Sequence, residues 1–524
     1  MIFIPPISTP DFLLFLWFFL LFTISILVAF DSYCYLHYAT AHHGRLWISD
    51  EPLQQARNCI RRLGLAGYDT VTTNAIATAN GVFSAGGAVG SLFMMWSCEA
   101  WGRKVNIQLG SFLAILGGVL QGGAANLKMF QAGRFVSGTS IGILVTVCPM
   151  YFAEMSSPFV RGWLVGHHAI FLVFGYMLSG WVGYGCYFAT GVNPSFAWRF
   201  PLCLQILSPL LLLIGSPWLP RSPRWLISKG KYDEAWEILR RLRQSKDDPQ
   251  DLVAKEEFYQ SKEQVKLEAE KLAATGSSLW MAVLKKKSYR KRMIIGFLTQ
   301  WGAEFGGPLI INNYVVILYT NLGMTGHMPL LLSALWLTTA GLIYNPLGAW
   351  LHDKVNSRRM MYIVGFVGIF ITRLLLHDSR YARTTNRCLV TGTFLRYNDV
   401  HFTSLKFSLP EIRPIGMGFS LFGQFASTII LLQTAPIGFA RVGWKYYLVV
   451  IIWSAFFIPV IYFFFPETAR LSLEEIAKNF GEEVAVDITT ATEEEKVKLE
   501  ETVASGDMIK TGNLPTAAEA KESA

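Results

Sequence analysis

The residues best placed to do chemistry are polar side chains set within or at the ends of apolar runs. Glu304 opens the stretch Glu304-Phe-Gly-Gly307-Pro-Leu309-Ile-Ile-Asn312-Asn313-Tyr314. His168 and Gln433 stand inside other apolar runs, and Arg134 and Glu154 lie near the two ends of a third. Carboxylates accept hydrogen bonds, and carboxamides, imidazoles and phenols both donate and accept. Such groups can hold a polar solute, and an ionisable group inside a membrane span is by default a functional candidate. For Glu304 the alternative is hydration at a span's start; for His168 it is packing against a neighbouring helix with one nitrogen satisfied. Bond-breaking chemistry has no support. The chain lacks a phosphate-binding Gly-Lys-Ser/Thr loop and a zinc-type His/Cys spacing. It therefore reads as neither an enzyme nor an ATP-driven machine, with no cofactor and no metal.

The elements that must carry these residues follow from composition. Hydrophobic residues make up 52% of the 524 positions and charged residues only 16%. Soluble domains carry about 25% charged residues. The apolar residues fall in blocks of roughly 20, enough to cross about 30 Å of hydrocarbon as helices. In lipid each block must satisfy its own backbone, which selects the helix. The blocks are 12–30, 73–96, 105–127, 129–153, 162–188, 198–219, 293–319, 329–351, 360–376, 416–440 and 444–465. The net charge of +9 comes from basic clusters beside the blocks, such as Lys285-Lys286-Lys287 and Arg358-Arg359. That is the positive-inside pattern and does not point to nucleic acid. The seven cysteines are scattered and imply no disulfide framework.

The spacing predicts an N-terminal membrane half over 1–219, a charged central loop over 220–292, a second membrane half over 293–465 and an acidic tail over 466–524. Within the loop, Tyr232–Leu242 has helical periodicity and many charges and reads as a surface helix. An acidic residue followed by a basic turn appears after the second block (Glu99 to Lys104) and recurs in the later half (Asp353 to Arg359). Duplicated halves are a transporter architecture.

Gly86, Gly90 and Glu99-Ala-Trp-Gly102-Arg103-Lys104 resemble the signature loop of the major facilitator superfamily. Gly133-Arg134, Pro149-Met-Tyr151-Phe-Ala-Glu154, Arg161-Gly162, Pro220-Arg-Ser222-Pro223-Arg224-Trp225-Leu226 and Pro466-Glu467-Thr468 follow in the order and positions of its sugar porter branch, fungal in flavour. The resemblance implies an all-α integral membrane protein of two six-helix halves and 12 spans. It implies a secondary transporter that moves a sugar by alternating access, as a monomer in the plasma membrane; the alternatives are another polar solute, such as a quinate-like acid or a secreted metabolite, and a nutrient sensor. The family's counterparts of Glu99, Arg103, Lys104, Glu154, Arg161, Arg224, Asp353, Arg358, Arg359, Glu467 and Arg470 tie the halves together at the cytosolic mouth. Surface ion pairs are individually weak, about 0–1 kcal/mol, but several together can bias two states. Arg221 replaces the family's glutamate and removes one acid from that network.

The resemblance also assigns the solute path. Aligned on Gly307 and Tyr314, Glu304 takes the place of a sugar-binding glutamine, Ala303 of another and Leu309 of an asparagine, which argues for an altered substrate. Asn312, Asn313, Tyr314, His168 and Gln433 are further candidate ligands. Proton-coupled members use an aspartate in the first span and the arginine opening the fourth; Arg134 fits the latter, and Asp31 is the acid nearest the former.

Two stretches resist. The first block, 12–30, lacks the basic flank of a signal peptide and is read as a span, though the family match is poor before residue 70. A tenth span is expected between 376 and 410, yet that stretch carries Asp378, Arg380, Arg383, Arg387, Arg396, Asp399 and Lys406. Each charge at mid-bilayer costs about 2.5–3.5 kcal/mol on insertion scales. Either the protein diverges here or its reading frame joins wrong exon boundaries; in the second case the chain as written lacks a competent tenth span.

Overall fold

The computed structural model describes residues 68–156, 161–189, 194–244, 251–274, 281, 283, 285–306, 316, 319, 326–339, 342–343, 359–360, 362–368, 413–442 and 446–465. Among these residues the regular elements are helices. Blocks 12–30 and 377–410 lie outside them. The chain divides into two compact units, Phe12–Leu219 with Tyr289–Arg470, and a second whose described part falls in Pro220–Ser288.

In the first unit the helices are α1 (Tyr68–Trp101), α2 (Arg103–Gly122), α3 (Leu127–Met155), α4 (Arg161–Ala189) and α5 (Pro194–Gly215). In the second are α6 (Pro223–Ser228), α7 (Tyr232–Arg243) and α8 (Leu252–Ala274). Helix α9 (Lys287–Phe305) returns the chain to the first unit, which also holds α10 (Met328–Thr339), α11 (Arg413–Val442) and α12 (Tyr447–Phe464). Among the described residues five helical stretches are long and apolar enough to span a bilayer: Ala77–Trp101, Arg103–Gly122, Leu127–Met155, Phe196–Trp218 and Pro414–Ala435.

Local sequence sets the breaks between spans. Gly102 adopts φ 84°, a left-handed conformation that glycine takes without a Cβ penalty, and it turns α1 into α2 in one residue. Asn126 caps α3, its side chain accepting from the Met129 amide at 2.8 Å. The helices also run past the apolar blocks: α1 continues to Trp101 where hydropathy ends near residue 96. Ser97 and Cys98 of this extension are fully buried, so packing carries the helix on.

Glycines bring α1 against α3. A Cβ on Gly86 or Gly90 would strike the Phe135 or Thr139 carbonyl. The other side of α1 meets α11, where the Phe425 ring covers Gly87 and Met95 covers Gly418. Helix α9 carries a stacked aromatic ladder, Phe297–Trp301 at 5.5 Å and Trp301–Phe305 at 5.2 Å between ring centroids. Phe305 meets Trp453 of α12 at 4.9 Å, and Phe457 of α12 lies over Gly302.

The second unit has a small core of Leu226, Ile227, Ala235, Leu239 and Phe258. Helix α7 matches the predicted surface helix, burying Ala235 and Leu239; of its charges Arg243 turns inward and is only 8% exposed. Helices α6 and α8 were not singled out from the sequence, α6 being short and α8 densely charged. Two bonds from Arg243 to Glu257, at 2.6 and 2.9 Å, tie α7 to α8.

Candidate functional site

Helix α3 carries a cation near one end and an acid near the other. Arg134 is only 1% exposed. Its NH2 donates to Asn80 Oδ1 of α1 at 2.8 Å, and its guanidinium lies 4.8 Å from the centroid of the Phe83 ring. Sequence placed Arg134 at the opening of the span. The structure sets it two turns inside α3, where a neutral carboxamide and an aromatic face receive the charge. Asn80 was missed, because one asparagine in an apolar block has no signature. Asp31 lies outside the described residues.

At the other end Arg103 NH2 donates to Glu154 Oε1 at 2.8 Å, with the two side chains 8% and 2% exposed. This corrects the expectation of a weak surface pair. The Gly102 turn folds Arg103 back toward α3, so the pair is buried. A buried pair is costly to break because the survivor keeps an uncompensated charge. Glu99, half-buried in the last turn of α1, adds its field to Arg103. Buried Asn106 locks the turn: it donates to the Gly102 carbonyl at 2.8 Å and accepts from Ser97 Oγ at 2.6 Å. Lys104 Nζ donates to the Pro217 carbonyl at 2.8 Å, and Gln108 donates to Ser216 Oγ at 3.0 Å. The signature loop is thus fastened to the end of α5.

Glu304 lies near the far end of α9, one turn beyond fully buried Gln300, and is 8% exposed. Hydration at a span's start does not describe it. Its Oε1 accepts from Gln424 Nε2 of α11 at 2.9 Å. Gln424 Oε1 is buried without a hydrogen-bond partner. Carboxylate and carboxamide together join α9 to α11 and keep acceptor capacity for a donor-rich solute. Gln424 is the residue that sequence missed. Gln433, chosen instead, lies on the same helix about 13 Å further along its axis and abuts Gly81 of α1. The structure does not bring it to Glu304.

Of the other candidates, Arg359 donates to the Tyr462 carbonyl at 3.4 Å and lies over the Tyr462 ring. Arg224 is half-buried on α6, within the second unit. His168 and Arg161 fall on α4, but their side chains are outside the described set. Asn312, Asn313, Tyr314, Asp353, Arg358, Glu467 and Arg470 lie outside the described residues altogether.

A buried cation held by a carboxamide and a buried ion pair on apolar helices, with a buried carboxylate on α9, suit solute movement. The family described as sugar (and other) transporter matches residues 19–480. The chain belongs to that family. It is 29% identical over 438 residues to the MFS-type transporter oryC of Aspergillus oryzae, covering 80% of this chain and 79% of that protein. It is 26% identical to the high-affinity glucose transporter of Kluyveromyces lactis (78% and 77% covered). It is also 26% identical to the arabinose-proton symporter of Escherichia coli K12 (75% and 82%). Its fold matches the proton:xylose symporter XylE bound to 6-bromo-6-deoxy-D-glucose, with TM-score 0.71 at 19% identity, covering 90% of this chain and 99% of that one. This member of the sugar (and other) transporter family is therefore a multi-pass membrane transporter with the major facilitator fold, as its motifs implied.

Proposed function

We propose that the protein moves a neutral sugar across the plasma membrane by alternating access, as a monomer of two six-helix halves. Residues 220–292 would form a cytosolic linker and 466–524 a soluble tail. The observation that carries the sugar reading is the Glu304–Gln424 pair. Its oxygens accept hydrogen bonds from neighbouring hydroxyls, while the aromatic ladder of Phe297, Trp301 and Phe305 gives the same helix an apolar side. A carboxylate in the path also disfavours an anionic solute, since like charges in a low dielectric repel strongly. Asn312, Asn313, Tyr314 and His168 are the remaining candidate ligands. Arg134 with Asp31 is the candidate proton-coupling pair. The gate is built around Arg103–Glu154, with Glu99, Arg161, Arg224, Asp353, Arg358, Arg359, Glu467 and Arg470 as further members and Lys104 at its edge.

Uptake of labelled hexoses, pentoses and an organic acid by a transporter-null host tests this reading. Sugar uptake is expected, and Glu304→Gln is expected to change either its pH dependence or its preference among the sugars. Uptake of the acid alone would sink the sugar reading, and no uptake at all would leave a sensor. Unchanged pH dependence and preference in Glu304→Gln would remove Glu304 from the path.

A further inference from the structure

One polar layer in helices α1, α2, α3 and α5 is not used by the sugar path. A cluster of Ala79, Ala124, Phe130 and Leu202, with Met129 and Trp198 against it, packs α1, α3 and α5 against the turn that follows α2. One helical turn deeper along each of them, or a single residue in α1, the side chains change character. Asn80 follows Ala79, Gln121 precedes Ala124, Arg134 follows Phe130 and Gln205 follows Leu202. Helix α2 runs opposite to the other three, so its step is reversed and the four residues share a level. Asn80, Gln121, Arg134 and Gln205 are 2%, 0%, 1% and 2% exposed.

The contacts place these groups side by side. Asn80 bonds Arg134. Gln121 Nε2 donates to Ser137 Oγ at 2.7 Å, on the next turn of α3 after Arg134. Gln121 Cγ lies 2.9 Å from where a Cβ on Gly133 would stand, and Gln205 Cγ lies 3.5 Å from that point on Gly118, one turn from Gln121. Yet Asn80 Nδ2, Gln121 Oε1, Gln205 Nε2 and Gln205 Oε1 are buried with no hydrogen-bond partner. Buried polar atoms in folded proteins are overwhelmingly paired, with protein or with ordered water.

We propose that this layer is an internal water-binding site, built by Gln205, Gln121 and Asn80 beside the Arg134 guanidinium. The open atoms are two donors and two acceptors. An anion would use the donors alone, and a metal ion would use the acceptors alone and be repelled by Arg134. Water both donates and accepts and needs two to four polar partners, which this set supplies. The apolar cluster seals the layer on one side. The bound water satisfies Asn80, Gln121 and Gln205 and closes the layer around Arg134.

Two measurements on the purified full-length chain test this. The first is a structure at a resolution that shows water. Density within about 2.7–3.2 Å of Gln205 and Gln121 is expected. An empty layer, or Gln205 turned to bond Gln121 directly, overturns the proposal whatever any variant does. The second is the melting temperature of Gln205→Leu, which keeps the volume and removes both amide atoms. In a dry layer that change deletes two uncompensated polar atoms and raises the melting temperature. With water present it displaces the water, strands Gln121 Oε1 and lowers the melting temperature by about 2 °C or more. An unchanged or higher value counts against the site. Neither measurement depends on which solute is carried.

Discussion

The two ends of α3 solve one problem differently. Both bury a charge where water is scarce, about 30 Å apart along the helix, close to the thickness of a bilayer core. Glu154 is met by an opposite full charge, Arg103, at 2.8 Å. Arg134 is met by a carboxamide oxygen at the same distance and by the Phe83 ring. A full counter-charge in low dielectric makes a deep, narrow well. The described contacts of Arg134 are of another kind, a carboxamide dipole and a π face, each of which a side chain can exchange at lower cost than a full counter-charge. The first arrangement suits a latch that holds one state. The second suits a group that exchanges partners during a cycle, as expected if Arg134 takes part in proton coupling.

The largest expected effect breaks the latch. Arg103→Ala removes the guanidinium that faces buried Glu154, and should destabilise the protein by about 3–5 kcal/mol. Thermal unfolding of the purified protein would show it. Arg103→Ala with Glu154→Gln should recover most of the loss, because a neutral amide does not need the guanidinium. A single variant within about 1 kcal/mol of the parent would mean that the pair is hydrated and the contrast false.

Arg134 should behave in the opposite way. Arg134→Ala is expected to leave surface expression near normal while uptake falls about tenfold or more, equivalent to at least about 1.4 kcal/mol in the rate-limiting barrier. Quantified surface labelling beside initial-rate uptake separates the two readouts. Normal uptake would remove Arg134 from the mechanism. Lost expression with lost uptake would make it a structural cation like Arg103.

How much of this was legible in the sequence follows from what each signal depends on. Block length reports the thickness to be crossed, so α1 to α5 fall where the apolar runs do. The Gly86 and Gly90 spacing announced a close helix approach, and the Gly102-Arg103 turn announced the loop, because both are local. Partners are tertiary. Gln424 and Gln433 are chemically equal carboxamides on one helix, and the axial register and rotation of α11 against α9 decide which one meets Glu304. The burial of Arg103 depends on α1 turning back at Gly102 and was likewise invisible. Helix α8 escaped because a charged, weakly amphipathic helix carries no strong period.

The smallest expected effect sharpens where the latch ends. Lys104 is next to Arg103 in sequence, but its Nζ reaches out to the Pro217 carbonyl at 2.8 Å in an exposed bond. Water can replace a lost donor there, and the long side chain regains rotamer freedom when released. Net worth for such a bond is about 0.5–1.5 kcal/mol, with exposed cases at the low end. Lys104→Ala should therefore cost less than about 1 kcal/mol in stability and change uptake by no more than about twofold. Lys104→Glu adds a test of sign. It places a second acid near Glu99, whose field also reaches Arg103, so it should impair uptake more than alanine does. If alanine alone abolished uptake, the charge at 104 would belong to the moving gate, and the latch would extend from buried Arg103 out to the surface. If glutamate were as mild as alanine, the latch would end at Arg103 and Lys104 would serve only to fasten the loop to the end of α5.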